Sequence, residues 1–373
     1  YLNEEKKENA SLALLGELDA LRIPEHAYVN PETDAAHCCG HHAQMAGIFG
    51  AALALTVPEI AEKLGGQVVF FATPAEEYGE IEFKNQLREQ GKIRYGGGKC
   101  ELIRTGAFDD IDLCLAHHIQ PGDEIQVGSG TGNGFVSKVI RYLGKAAHAA
   151  GAPDKGVNAL SAASLGLQAL GLNRETFRDE DCVRVHPIIT KGGNLVNVIP
   201  DEIVIETLVR AKTIEAFTDA AKKTDRSFQA GAVAMGAKVE IITLPGYLPT
   251  LAEQALPELK RAAELAAPEV PVREAAGHSG GSTDVGDVQH LMPVYTFNTG
   301  GVKGGLHQIN FEVTNEEEAY IDTAKMFALA AYGLLKEKAA RSKELVKNYK
   351  PVFKDSAEYT KFMEQFDSKE VLD

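Results

Sequence analysis

Residues 67–79 read QVVFFATPAEEYG. The apolar stretch is short, rich in Val and Phe, and stopped by Pro74. That is the pattern of a buried strand running into a turn. Glu76 and Glu77 follow at once. Neighbours on an extended chain point to opposite sides, so one carboxylate can bind a cation while the other holds a water. An isolated pair of glutamates is more often a solvated loop. Here the pair stands where a buried strand ends, the place where open α/β sheets keep their chemistry.

Working outward, strands and helices alternate. LALLGELDAL (12–21) is a buried strand entering a loop, QMAGIFGAALALTVPEIAEKL (44–64) a helix, and DDIDLCLAHH (109–118) another short strand. This order predicts an α/β sheet whose strand ends carry the chemistry. From about 133 the pattern changes. FVSKVIRYLG (135–144) alternates like a half-exposed strand, and VNALSAASLGLQALGL (157–172) is helical. CVRVHPIIT and DEIVIETLVRA are strands, 216–236 a helix and KVEIITL a strand. The order β-α-β-β-α-β predicts a ferredoxin-like insert. The expected organisation is a main domain split over 1–130 and 247–348, an insert over 131–246, and a polar, peripheral tail over 349–373. The chain opens without Met and enters a strand almost immediately, so further N-terminal sequence is expected.

Composition excludes several classes. The formal charge of −15 comes from 38 basic and 53 acidic residues, which argues against nucleic acid and anionic membranes as partners. No apolar run reaches the length of a membrane span. Five scattered cysteines are not a disulfide framework and suit reduced thiols in the cytoplasm.

HCCGHHAQ (37–44) packs three histidines and two cysteines into eight positions. Gly40 lets the backbone turn so that Cys39 and His41 converge, and thiolate with imidazole is a good transition-metal pair. A histidine-rich loop with a small buried cysteine explains this motif equally well. His117 and His118 end a second strand, and alternation sends one of them to the strand-end crevice. His307 lies in the glycine-rich loop GGVKGGLHQINF (300–311). Four such ends, each with a metal-grade ligand, favour a metal site. GHSGG (277–281) satisfies the nucleophile-elbow pattern, with Asp284 and His307 following in triad order, but it lacks the required strand before and helix after. It ranks below the metal reading. GSGTGNG (128–134) and GGGKC (96–100) do not match nucleotide-binding loops.

The ordered set LLGELDAL, HCCGHH, PAEEYG, DDIDLCLAHH, GKAAHAA, NVIPDEIVIETLVRA, GSTDVGDV and GGLHQ resembles the metal-dependent amidohydrolases of the aminoacylase and carboxypeptidase-G family. Within it, the branch of auxin-conjugate and aminobenzoyl-glutamate hydrolases is the most similar. The resemblance implies a zinc-exopeptidase-like α/β/α catalytic domain carrying a ferredoxin-like lid through which the chain dimerises. It implies one or two divalent transition metals, Zn or Mn ahead of Co or Ni. Cys39 would be shared by both metals, with His41 and His118 on one and Glu77 and His307 on the other. Glu76 would be the general base and Asp19 the orienter of a ligand histidine. His148 would steady the transition state, often from the partner subunit. Asn197 and Arg210 would hold the substrate. The implied reaction is hydrolysis of an amide in an N-acyl amino acid, dipeptide or aminobenzoyl-glutamate-like substrate, by metal-activated water. Amine release from a non-peptide substrate, a serine hydrolase and a non-catalytic metal binder are the alternatives. His42, Gln44 and an insertion at 80–99 depart from the usual pattern.

Overall fold

The computed structural model describes residues 1–372. Its principal elements begin with β1 (Ser11–Glu17), α1 (His41–Leu55) and β2 (Gln67–Thr73). They continue through α2 (Ile81–Glu89), α3 (Gly98–Arg104), β3 (Leu113–Ile119) and β4 (Ile125–Val127). The insert comprises β5 (Gly134–Leu143), α4 (Ala159–Asn173), β6 (Ile188–Lys191), β7 (Glu202–Ala211), α5 (Ile214–Met235) and β8 (Lys238–Tyr247). The chain returns through α6 (Pro257–Ala266), β9 (Val272–Glu274), α7 (Val285–Gln289) and β10 (Val294–Thr299). It ends with α8 (Thr323–Asn348), which is broken by non-helical backbone at Lys336–Ala339, α9 (Ser356–Met363) and β11 (Ser368–Leu372).

The first sheet runs β9-β4-β10-β3-β1-β2. β1 pairs in parallel with β2 and β3, and β3 with β10. Every residue of β1 is buried, because both faces are covered. Leu12 and Leu14 join a core with α1, α6 and α8 residues, while Ala13 and Leu15 face Cys100, Ile103 and Val288 on the other side. The parallel central strands all end at the same edge, and the site lies there.

The second sheet runs β6-β7-β5-β8-β11, antiparallel throughout. Its four insert strands keep the ferredoxin-like order. α4 and α5 cover one face, packing through Gly166 and Gly231, where a Cβ would lie 2.9 Å from Phe228 and 2.3 Å from the Ala162 carbonyl oxygen respectively.

Three expectations are corrected. β5 is not a half-exposed strand; it is central and almost wholly buried. Its polar Lys138 reaches Asp225 and Thr243, so alternation in the sequence did not mean exposure. The helix read through residue 64 stops at Leu55, and a separate helical turn starts at Pro58. The C-terminal tail is not peripheral either. Phe353, Tyr359, Met363 and Phe366 enter a core shared by both sheets, and β11 adds a strand to the edge of the lid sheet. The insertion forms α2 and a loop, with Ile81 and Tyr95 in that same core. No helix among the described residues is long and apolar enough to cross a membrane.

Candidate active site

Gly40 adopts φ +83°, and a Cβ there would lie 2.0 Å from Ile119. It therefore turns the chain as expected, leaving Cys39 just before α1 and His41 on its first turn. β2 delivers the glutamates through a turn in which Ala75 and Tyr78 both take positive φ, a conformation costly for residues with a Cβ. Tyr247 clamps that turn by donating its hydroxyl to the Glu76 carbonyl oxygen. Strand alternation sends His117 into the core, bonded to Thr299, and His118 toward the strand ends. His307 arrives on its loop with its N–H bonded to the Cys38 carbonyl.

Four side chains, His41, Glu77, His118 and His307, gather around the Cys39 sulfur. Cys39 Sγ lies 3.4 Å from His118 Nε2 and 3.2 Å from His307 Nε2. His307 Nε2 is 3.4 Å from Glu77 Oε1. Ligand atoms of Cys39, His41 and His118 lie within 4.8 Å of one another, and so do those of Cys39, Glu77 and His307. Cys39 belongs to both sets.

The surroundings fix which atoms face inward. His41 Nδ1 meets the Asp19 backbone oxygen at 3.0 Å and its carboxylate at 3.4 Å, leaving Nε2 for the cluster. His118 Nδ1 donates to the Ile119 carbonyl at 2.7 Å, again freeing Nε2. Asp19 also accepts the Glu77 N–H at 3.0 Å, so it braces a residue of each set.

The electrostatics are those of an incomplete anionic cage. Burial alone would depress His41, but Asp19, Glu17 and Glu76 outweigh it and lift the group to about 9. Burial raises Cys39 and the neighbouring Glu77 and Glu76 raise it further. Glu76 is pushed well up by burial, then by Glu17 and Asp284. Burial would raise Glu77 too, yet His307 holds it low. His41 Nε2 and Glu77 Oε1 are buried and make no well-aligned hydrogen bond, although Glu17 Oε2 stands 3.1 Å from the first and His307 Nε2 3.4 Å from the second. Poorly satisfied buried polar atoms are costly, and a divalent cation among these N, O and S donors would satisfy them. The residues present fit such an ion.

The cluster forms the floor of a cavity of about 650 Å³, which Arg210 also lines. Arg210 donates to Ser282 Oγ at 3.1 Å and lies over the Phe135 ring, while its Nε is buried without a partner. His148 and Asn197 do not line this cavity. They sit together on the exposed lid surface, where Ala149 N–H bonds the Asn197 carbonyl at 3.0 Å. His148 Nδ1 accepts from the N–H groups of Ala150 and Gly151, which leaves its Nε2 as the outward donor.

The serine-hydrolase alternative is corrected here. Asp284 is bonded to Lys99 and not to any histidine, His307 faces Cys39 and Glu77, and Ser279 Oγ accepts only from Gly281 N–H. Glu17 and Lys99 escaped the sequence reading, and Gln44 was singled out only as a departure from the family pattern. Glu17 stands two residues before Asp19, the spacing that puts both on one side of a strand, and this was the available signal. Gln44 is bonded twice to Glu17. His42 is half-buried beside His37 and Tyr320, outside both ligand sets; burial, then His37 and His41, lower it to about 4.

Paired glutamates, a shared sulfur and three imidazoles at the end of a parallel sheet define a metallohydrolase. The chain belongs to peptidase family M20/M25/M40, whose profile matches residues 13–332. It is 28% identical to the Xaa-Arg dipeptidase of Mus musculus over 325 residues, 84% of this chain and 67% of the relative. It is 30% identical to one of the subunits of the p-aminobenzoyl-glutamate hydrolase of Escherichia coli over 208 residues, 54% of this chain and 39% of that one. A Bacillus subtilis structure described as a dinuclear metal-binding peptidase of the M20 family shares the fold. Its TM-score is 0.57 at 23% identity, over 87% of this chain and 82% of that one. The chain is accordingly a metal-dependent hydrolase of C–N amide bonds, and its clustered donors fit a divalent metal.

Proposed function

We propose that the chain cleaves the amide of a small substrate carrying a free carboxylate: an N-acyl amino acid, a dipeptide or an aminobenzoyl-glutamate-like conjugate. The observation that carries this reading is one cavity holding both the Cys39-centred cluster and the unpartnered edge of Arg210. A guanidinium so placed suits a carboxylate. The relatives, named for a dipeptidase and for a hydrolase of an aminobenzoyl-glutamate, support the same class.

Cys39 would be the shared ligand, with His41 and His118 holding one cation and Glu77 and His307 the other. Zn or Mn suits this mixed donor set. A divalent cation there supplies Lewis acidity and makes a water acidic near neutral pH. Glu76, raised by burial and then by its anionic neighbours, takes the proton from the attacking water and passes it to the leaving nitrogen. Asp19 keeps His41 oriented.

His148 and Asn197 reach a site only if another copy brings them. The lid sheet ends at β11 on one side and at β6 on the other, where Ile188 is 62% exposed and Ile189, Leu195 and Val196 are exposed nearby. An apolar edge strand beside His148 supports a two-fold dimer that shares its sites. Five free thiols suit a reducing compartment such as the cytoplasm.

Metal analysis combined with a hydrolysis screen over N-acyl amino acids, dipeptides and aminobenzoyl-glutamate tests the reading. The wild type should hold one to two equivalents of Zn or Mn by the bridged-site logic, and a chelator should abolish turnover. Cys39→Ala should lose both metal and activity while staying folded. Full activity after chelation, or in Cys39→Ala, would refute the assignment.

A further inference from the structure

Gly97 and Gly98 press the chain against the glutamate turn. A Cβ on Gly98 would lie 1.5 Å from the Pro74 carbonyl oxygen, and one on Gly97 2.2 Å from the Tyr247 ring. This close approach delivers Lys99, whose side chain is only 1% exposed. Its Nζ donates to Glu17 Oε1 and to Asp284 Oδ1, both at 2.6 Å. Its backbone N–H donates to Asp284 Oδ2 at 2.8 Å. A buried ammonium is costly and an apolar residue of similar size would pack without that cost, so the lysine calls for a reason other than stability.

Glu17 supplies one. While Oε1 is tied to Lys99, Oε2 lies 3.1 Å from His41 Nε2 and accepts from Gln44 at 2.8 Å. Glu17, His41 and Glu76 also present ligand atoms within 4.8 Å of one another. Glu17 is therefore close enough to become a ligand beside His41. Structural metal sites are closed by protein ligands, whereas catalytic ones keep an open position. Lys99 is itself anchored to Asp284 by both side chain and backbone, so it cannot follow Glu17 toward the cluster.

We propose that Lys99 is a positioning residue that holds Glu17 out of the ligand set and so keeps the place beside His41 and Glu76 open for water. This inference rests on the metal-centre reading above. It makes Lys99 decisive for turnover although it touches neither substrate nor cation.

The test uses cobalt(II)-loaded enzyme, because cobalt(II) absorbs more strongly at low coordination number than when its shell is filled. Lys99→Met frees Glu17. The visible absorption should weaken, kcat should fall at least tenfold with KM within threefold, and metal content should be retained. Lys99→Met/Glu17→Gln removes the intruding carboxylate and restores the cluster's net charge. It should regain the wild-type spectrum and kcat to within tenfold of wild type. If Lys99→Met does not fold, the double variant alone carries the test against those values. A wild-type spectrum in Lys99→Met, or a double variant with the weakened spectrum or a larger loss of kcat, overturns the role of Lys99. If the wild type itself binds no cobalt, the metal-centre reading fails and this inference with it.

Discussion

Asp19→Asn isolates the bracing of the metal cluster from the cluster itself. Asp19 meets His41 Nδ1 through its backbone oxygen at 3.0 Å and its carboxylate at 3.4 Å, and its other carboxylate oxygen accepts the Glu77 N–H at 3.0 Å. Loss of such a partner typically costs about 10–100-fold in metal affinity. The substitution keeps the backbone oxygen, so the His41 ring stays oriented, and asparagine keeps one acceptor for Glu77. What disappears is the negative charge that favours His41 as a donor. The expected loss is therefore at the low end, about tenfold or about 1.4 kcal/mol. Competition titration against a chromophoric chelator measures it, with circular dichroism to confirm the fold. An affinity within threefold of wild type would show that the carboxylate contributes nothing. A loss beyond a hundredfold would mean that Asp19 is a direct ligand and that the bracing role is wrong.

Glu76→Gln removes a proton acceptor while sparing the five cluster ligands. Metal content should stay near wild type while kcat falls by about 10² or more; loss of metal with catalysis intact in metal-replete buffer would mean that Glu76 and Glu77 have exchanged roles. For metal-stripped protein, His41 is raised from 6.5 to about 9 and so contributes stability fully present below about pH 6.5 and lost as pH rises through 9. That contribution is worth up to about 3 kcal/mol, so thermal melts should drop toward pH 10 by an amount that His41→Gln largely removes, and equal slopes for both proteins would refute it. For the proposed dimer with shared sites, mixing Glu76→Gln with His148→Ala after subunit exchange should restore about a quarter of wild-type activity, since half the dimers would be mixed and each would carry one complete site. Exchange confirmed by mass with no regained activity would exclude sites shared across the dimer.

The parts of this protein that were legible in its sequence are those whose signal is local. Gly40 between Cys39 and His41, the glutamates after a proline-stopped strand and the histidines ending another all sit within a few residues of the feature that positions them. The ferredoxin-like order followed from strand and helix periods alone. What stayed hidden is polar residues whose partners are distant in sequence. Lys138 made β5 look half-exposed, yet its ammonium is buried against Asp225, 87 positions away. Lys99 looked like the end of a failed phosphate loop, and its partners Glu17 and Asp284 lie 82 and 185 positions away. The tail misled for the converse reason. Its composition is polar, but Tyr359, Phe362, Met363 and Phe366 recur at helical spacing, and that stripe turns inward. Periodicity ranks a residue by its own polarity and its near neighbours, whereas a buried charge is fixed by a partner that only the fold supplies. The two lysines were thus misread by the same physics. Lys99 differs in one respect: its partner Glu17 also faces His41, which places that buried charge one residue away from the chemistry.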